Sequence, residues 1–206
     1  MPNLSPSKIV CVGRNYAAHA KELGNEVPKS PLIFLKPPSS IIRDGGSIRL
    51  PTVSNQVEYE GEIGVIVGKR LFRSTADEAR SAVSGIVAAN DVTARDLQKS
   101  DGQWTRAKGF DTFCALGKIG EVPTDLSALT VTTRVNGTVR QQGSASDMVF
   151  DIPAILSFIS GIMTLEPGDL VLTGTPDGVG TLAPGDVVEV EIAGVSRVSN
   201  PVTSDA

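Results

Sequence analysis

The chain has 206 residues, of which 40% are hydrophobic and 20% charged, enough apolar side chain to bury a core and too little charge for a disordered polymer. Its 19 Lys and Arg stand against 23 Asp and Glu, a net charge of −4, which argues against a nucleic-acid-binding face. Two cysteines, Cys11 and Cys114, and one histidine, His19, exclude a disulfide scaffold and any metal centre built on several thiolates or imidazoles.

The opening Met1-Pro-Asn-Leu-Ser-Pro-Ser7 lacks the basic start and apolar stretch of a secretory signal, and no apolar run reaches the roughly 18 residues of a membrane span. A cytoplasmic protein without membrane or nucleic-acid partners is expected. Glycines and prolines are scattered as punctuation rather than gathered into a linker, so residues 1–206 read as one domain. Lys8-Ile-Val-Cys-Val12 is a short apolar run stopped by Gly13, a buried strand. Asn15 to Leu23 has helical composition, with Asn15 as its cap and Gly24 as its stop. Within it His19 and Glu22 are three residues apart and share a face, so the carboxylate can orient the imidazole and raise its basicity; an exposed, weak helix pair is the plainer explanation. Ala17, Ala18 and Ala20 keep that helix slim, which suits one that closes over a ligand. Leu32-Ile-Phe-Leu35 is a further strand, between Pro31 and the Pro37-Pro38 pair.

Val57 to Val67 alternates and then turns wholly apolar, as a strand does on passing from a cleft into the core. Alternate strand residues share a face about 6.6–6.8 Å apart, so Glu58, Glu60 and Glu62 crowd one side. A solvated acidic face is the ordinary reading, but Val65-Ile-Val67 places Glu62 at least near the core margin, where like charges need neutralising. The apolar run Ser84 to Asp91 ends in Asn90-Asp91 and delivers another carboxylate to a cleft edge. Carboxylates without His or Cys partners favour a hard ion, Mg²⁺ or Mn²⁺. Arg95 and Gln98 follow Asp91 and can anchor a substrate carboxylate, or simply form an ordinary polar helix turn. Lys108, beside Gly109 and near Trp104, Phe110 and Phe113, reads as a partly buried ammonium able to hold an oxyanion or enolate; a stem laid on aromatics with the head in water is the commoner arrangement.

Elsewhere the signals are structural. Thr75 or Ser74 with Asp77 and Glu78 is a capping box for a helix reaching about Val83. Asn136-Gly137 marks a hairpin within Val131 to Gln141. Asp151-Ile-Pro-Ala opens a helix that turns Ile155, Leu156, Phe158 and Ile159 inward and stops at Gly161, and Pro167-Gly and Pro184-Gly each turn into a strand. Leu172 to Gly180 is glycine-rich but lacks the ending of a phosphate loop; it reads either as a backbone-rich binding loop in which Thr175 can donate to a carboxylate or as a purely structural turn. This strand-rich balance predicts an α+β protein built on a rolled or barrel-like sheet.

Six blocks in order resemble the fumarylacetoacetate hydrolase superfamily: Val12-Gly-Arg-Asn-Tyr16 with His19, Leu35-Lys-Pro37, Tyr59-Glu-Gly-Glu-Ile-Gly64, Asn90 to Gln98, Ala107-Lys-Gly-Phe-Asp111 and Leu172-Thr-Gly-Thr-Pro176. The length is most like the acylpyruvase and oxaloacetate decarboxylase branch. The resemblance implies a mixed β-sheet roll with a few short helices, the fold of the fumarylacetoacetate hydrolase C-terminal domain, and a homodimer. It implies Glu60, Glu62 and Asp91 as ligands of Mg²⁺ or Mn²⁺, with Glu58 a neighbour. His19 and Glu22 become the water-activating pair on a lid helix, Lys108 the enolate-holding ammonium, and Arg95, Gln98 and Thr175 substrate contacts. Ala115 departs from the family, whose members often carry Pro there, and touches none of the proposed groups. The implied activity is metal-dependent hydrolysis or decarboxylation of small 2-oxo acids such as acetylpyruvate, fumarylpyruvate and oxaloacetate. The alternatives are a 2-oxo acid tautomerase or isomerase on the same platform, and a non-catalytic 2-oxo acid sensor.

Overall fold

The computed structural model describes residues 5–22, 24 and 26–205. Its first strand, β1 (Ile9–Gly13), consists of Ile, Val and Cys side chains buried on both faces, as expected of a strand covered on each side. A one-turn helix, α1 (Ala17–Glu22), follows. Then come β2 (Leu32–Lys36), β3 (Ile41–Arg43), β4 (Ile48–Leu50), β5 (Val57–Tyr59) and the fully buried β6 (Gly61–Val67). Helix α2 (Ala76–Ser81) leads into β7 (Val83–Asp91), and β8 (Thr93–Ala94) runs directly into α3 (Arg95–Asp101) and α4 (Thr105–Lys108). The second half supplies β9 (Cys114–Leu116), β10 (Thr130–Val135), β11 (Thr138–Ser144) and α5 (Ile152–Ser160). It ends with β12 (Leu170–Leu172), β13 (Gly180–Thr181), β14 (Val187–Ile192) and β15 (Ser196–Ser204).

The strands form three sheets. The largest has the order β2-β1-β12-β6-β7-β9-β3 and mixes parallel with antiparallel pairs; a second runs β11-β10-β14-β15-β4 and a third β13-β5-β8. The main core lies between the first two: Ile63 and Val65 of β6 and Ile86 and Ala88 of β7 meet Val131, Val190 and Val198, with Ile155, Leu156 and Ile159 of α5 in the same cluster. Gly61 permits the close approach of β6 to β10, since a Cβ there would stand 1.9 Å from Thr133 Oγ1. This is the α+β architecture of mixed sheets with few, short helices that the sequence predicts.

Local chemistry decides several elements as expected. Thr75 Oγ1 accepts from the Glu78 amide at 3.3 Å while Glu78 Oε2 accepts from the Thr75 amide at 2.8 Å. Asp151 caps α5 through the Ala154 amide at 2.8 Å. Asn136 and Gly137 have φ of 51° and 78°, the two left-handed residues of a type I′ hairpin turn.

Other expectations give way to long-range contacts. Val57 to Val67 is not one strand. Asn90 Oδ1 takes the Glu60 amide at 3.0 Å, so the chain leaves one sheet at Glu60 and enters another. Asn15 is not a helix cap: its amide donates to the carbonyls of Phe150 (3.0 Å) and Thr173 (2.8 Å), and α1 begins two residues later. Leu23, the expected last residue of that helix, lies outside the described residues, as do Met1 to Leu4. Helix α2 stops at Ser81 because the Ala82 carbonyl turns to the Gly68 amide at 2.7 Å, starting the β6–β7 pairing. Phe158 is half-buried on the flank of α5, whose inner face is Ile152, Ile155, Leu156 and Ile159.

Candidate metal centre and its cleft

Glu60 stands at the break between β5 and β6, Glu62 two residues further along β6, and Asp91 at the end of the antiparallel neighbour β7, where Gly61 pairs with Asn90. One carboxylate oxygen from each lies within 4.8 Å of the other two, the one such acidic group among the described residues. None of the three is more than 5% exposed. Burying like charges this closely demands compensation.

Three buried cations supply part of it. Lys108, at the end of α4, donates to Glu60 Oε2 and Asp91 Oδ2, both at 2.7 Å. Lys36, at the end of β2, donates to the other oxygen of Asp91 at 2.6 Å and to the Val92 carbonyl at 3.2 Å. Arg95, the first residue of α3, donates to Glu58 Oε2 at 2.8 Å, to Glu60 Oε1 at 2.5 Å and to Gln98 Oε1 at 2.6 Å. Four carboxylates thus face three cations, and the deficit falls on Glu62, to which the Gly174 amide donates at 2.7 Å. Burial, then Asp91 and Glu60, push the Glu62 pKa well above the usual carboxylate range. Burial acts on Glu60 in the same direction, but Lys108 and Arg95 overcome it and hold Glu60 well below that range. An all-oxygen donor set, buried and one positive charge short, fits a hard divalent cation.

Metal-free protein therefore carries a pH-dependent penalty at Glu62. A carboxyl whose folded pKa is raised adds stability below its unfolded pKa, near 4.3, and that contribution is lost as pH rises through the folded value. In chelator, Glu62→Gln is expected to melt about 2–4 °C or more above wild type at pH 8, the shift produced by about 1 kcal/mol in a chain of this size, and level with it at pH 4.5. Thermal melts at the two pH values check this; an advantage independent of pH would contradict it.

The cleft beside the carboxylates is lined by His19, Glu60, Glu62, Arg95, Gln98, Lys108 and Thr175. Asp91 and Glu22 complete the expected set from behind, bonded to Lys108 and His19. His19 Nδ1 lies 3.1 Å from Glu22 Oε2, and the other Glu22 oxygen accepts the Gly178 amide at 3.0 Å, tying α1 to the glycine-rich loop. Two expected substrate contacts have prior engagements. The Thr175 hydroxyl donates to the Gly61 carbonyl at 2.9 Å and accepts from Gln141 at 2.7 Å, so its proton is committed to the main chain. Arg95 clamps Glu58 to Glu60 rather than standing free. Lys36, Asn90 and Gln141 also brace the site, without a role predicted for any of them from the sequence. Lys36 had a readable signal, a charge ending an apolar strand; Gln141, which holds the Gly61 amide at 3.0 Å, had none.

The family model described as fumarylacetoacetate (FAA) hydrolase C-terminal matches residues 8–203. A mitochondrial oxaloacetate decarboxylase of Dictyostelium discoideum is 45% identical, over 91% of this chain and 89% of its own. A mitochondrial oxaloacetate tautomerase of Arabidopsis thaliana is 44% identical, over 93% and 89%. Among solved structures, a 5-carboxymethyl-2-hydroxymuconate delta-isomerase from Mycobacterium smegmatis superposes with a TM-score of 0.90 at 43% identity, covering 98% of this chain and 80% of that one. The chain belongs to the fumarylacetoacetate hydrolase family.

Proposed function

We propose that the protein is a divalent-metal-dependent enzyme that cleaves a C–C bond in small 2-oxo acids, hydrolysing acylpyruvates and decarboxylating oxaloacetate. The observation that carries this reading is the buried trio Glu60, Glu62 and Asp91 with the Lys108 ammonium against two of its members. Those three carboxylates would hold Mg²⁺ or Mn²⁺, which supplies Lewis-acid polarisation of a bound keto acid. Lys108 holds its proton firmly, because Asp91 and Glu60 outweigh the effect of burial and raise its pKa. Its ammonium can therefore bind an enolate oxygen as negative charge develops there. His19, oriented through Nδ1 by Glu22, keeps Nε2 free to take a proton from water. The hydroxide attacks the distal carbonyl, and the C–C bond breaks with its electron pair passing to the pyruvate enolate. Decarboxylation uses the same sink: the electrons of the departing CO₂ bond pass to the enolate, and no water is consumed.

A second reading, keto–enol tautomerisation, draws support from the same His19–Glu22 pair, since decarboxylation alone requires no base beside the enolate, and from the name of the Arabidopsis relative. Product analysis separates them. Pyruvate with acetate from acetylpyruvate, or with CO₂ from oxaloacetate, is expected; enol–keto exchange with an intact carbon skeleton would favour the second reading. Glu22→Ala is expected to lower acylpyruvate hydrolysis about 10–100-fold, the usual effect of removing the group that orients a reactive imidazole, and decarboxylation far less. Equal losses would contradict the division of roles.

A further inference from the structure

Arg14 lines the cleft between Gly13 and Asn15. The other two cations of the lining, Arg95 and Lys108, are each bonded to two carboxylates. Arg14 is half-buried and, among the described residues, makes no hydrogen bond or ion pair. Its backbone has φ of 59°, a left-handed conformation that disfavours any residue with a Cβ by about 1–2 kcal/mol. Both neighbours hold it there. Gly13 lies under the Trp104 ring, where a Cβ would approach the indole to 2.9 Å. Asn15 is clamped to Phe150 and Thr173 through its side chain, and its carbonyl accepts the Val149 amide at 2.8 Å. The chain thus fixes the backbone of Arg14 in an unfavourable conformation and leaves its charge for something the protein does not supply.

We propose that Arg14 receives a second carboxylate of the substrate, so that the site selects 2-oxo dicarboxylates over 2-oxo monocarboxylates of equal length. This rests on the 2-oxo acid reading above and narrows it. Charge bookkeeping points the same way. The four acids and three cations of the buried cluster leave one negative charge, and a divalent ion turns that into one positive charge, which the carboxylate beside the keto group neutralises. A second carboxylate in the cleft then has one uncompensated counter-charge in the lining, the Arg14 guanidinium, whose planar fork of donors matches a carboxylate. With a monocarboxylate that guanidinium remains unpaired.

The test uses two five-carbon probes that differ in the distal carboxylate, 2-oxoglutarate and 2-oxopentanoate, titrated calorimetrically into wild-type protein saturated with Mg²⁺. Wild type is expected to bind 2-oxoglutarate at least about tenfold more tightly, the weight of one charge-assisted bidentate pair. Arg14→Gly removes the guanidinium and relieves the left-handed backbone, so the fold is kept; it is expected to bring the two affinities within about twofold by weakening 2-oxoglutarate alone, and Arg14→Lys to restore part of the difference. With oxaloacetate the same Gly variant should raise KM and leave kcat nearly unchanged. Equal binding of both probes by wild type, or equal weakening of both in Arg14→Gly, would overturn the proposal. Failure of wild type to bind either probe would overturn the 2-oxo acid reading itself.

Discussion

Glu60→Gln is expected to lower kcat/KM for oxaloacetate and for acetylpyruvate together by about 10³-fold or more, with Mg²⁺ in excess. Two losses combine. A metal that stabilises developing negative charge is worth several kcal/mol in the transition state, and each 1.36 kcal/mol is a factor of ten in rate. The second loss is local. Both Glu60 oxygens accept from cations, Arg95 on one side and Lys108 on the other, and an amide nitrogen would present a donor to one of these donors. Steady-state assays, with circular dichroism to verify folding, check the prediction; activity within tenfold of wild type would contradict it. Because Glu60 serves every version of the chemistry, its loss should not distinguish the two substrates, unlike the loss of Glu22.

Lys108→Met is expected to separate catalysis from ion binding. The Lys108 ammonium sits on one oxygen each of Glu60 and Asp91, which a divalent ion also needs as donors, and lies 4.9 Å from the Phe34 ring centroid. Methionine keeps an apolar stem of similar length against that ring and removes the charge. Turnover should fall about 10²–10³-fold, the usual effect of deleting a donor to a developing oxyanion. Affinity for Mn²⁺ should rise or hold, since a competing cation has gone. In chelator the variant should melt below wild type, because Glu60 and Asp91 lose a buried partner, and saturating Mg²⁺ should restore much of the difference. Parallel loss of turnover and ion affinity would show that Lys108 supports the carboxylates and has no role at the enolate.

The parts of the molecule that were legible in the sequence are those that local physics determines. The Asn136-Gly137 turn and the Thr75 capping box need only their own neighbours. The acidic alternation at Glu60 and Glu62 and the apolar run ending in Asp91 showed carboxylates at a core margin, where a cation is the natural compensation. What stayed hidden was decided by partners far along the chain. The strand breaks at Glu60 because a side chain thirty residues later takes its amide, at 3.0 Å. Asn15 has a strong local propensity to cap a helix, but two carbonyls near the other end of the chain claim its amide. The sequence points to Arg95 as a substrate anchor because its spacing from Asp91 is visible there and its grip on Glu58 and Glu60 is not. The left-handed φ of Arg14 has no sequence signature, since such positions usually carry glycine.

Glu60, Glu62 and Asp91 would together hold one divalent ion. Diffraction from crystals grown with Mn²⁺, recorded where manganese scatters anomalously, locates that ion. One strong anomalous peak per chain is expected, within about 2.0–2.3 Å of oxygens from Glu60, Glu62 and Asp91. A protein fully active under the same conditions with no peak there, or with its manganese bound elsewhere, would contradict it.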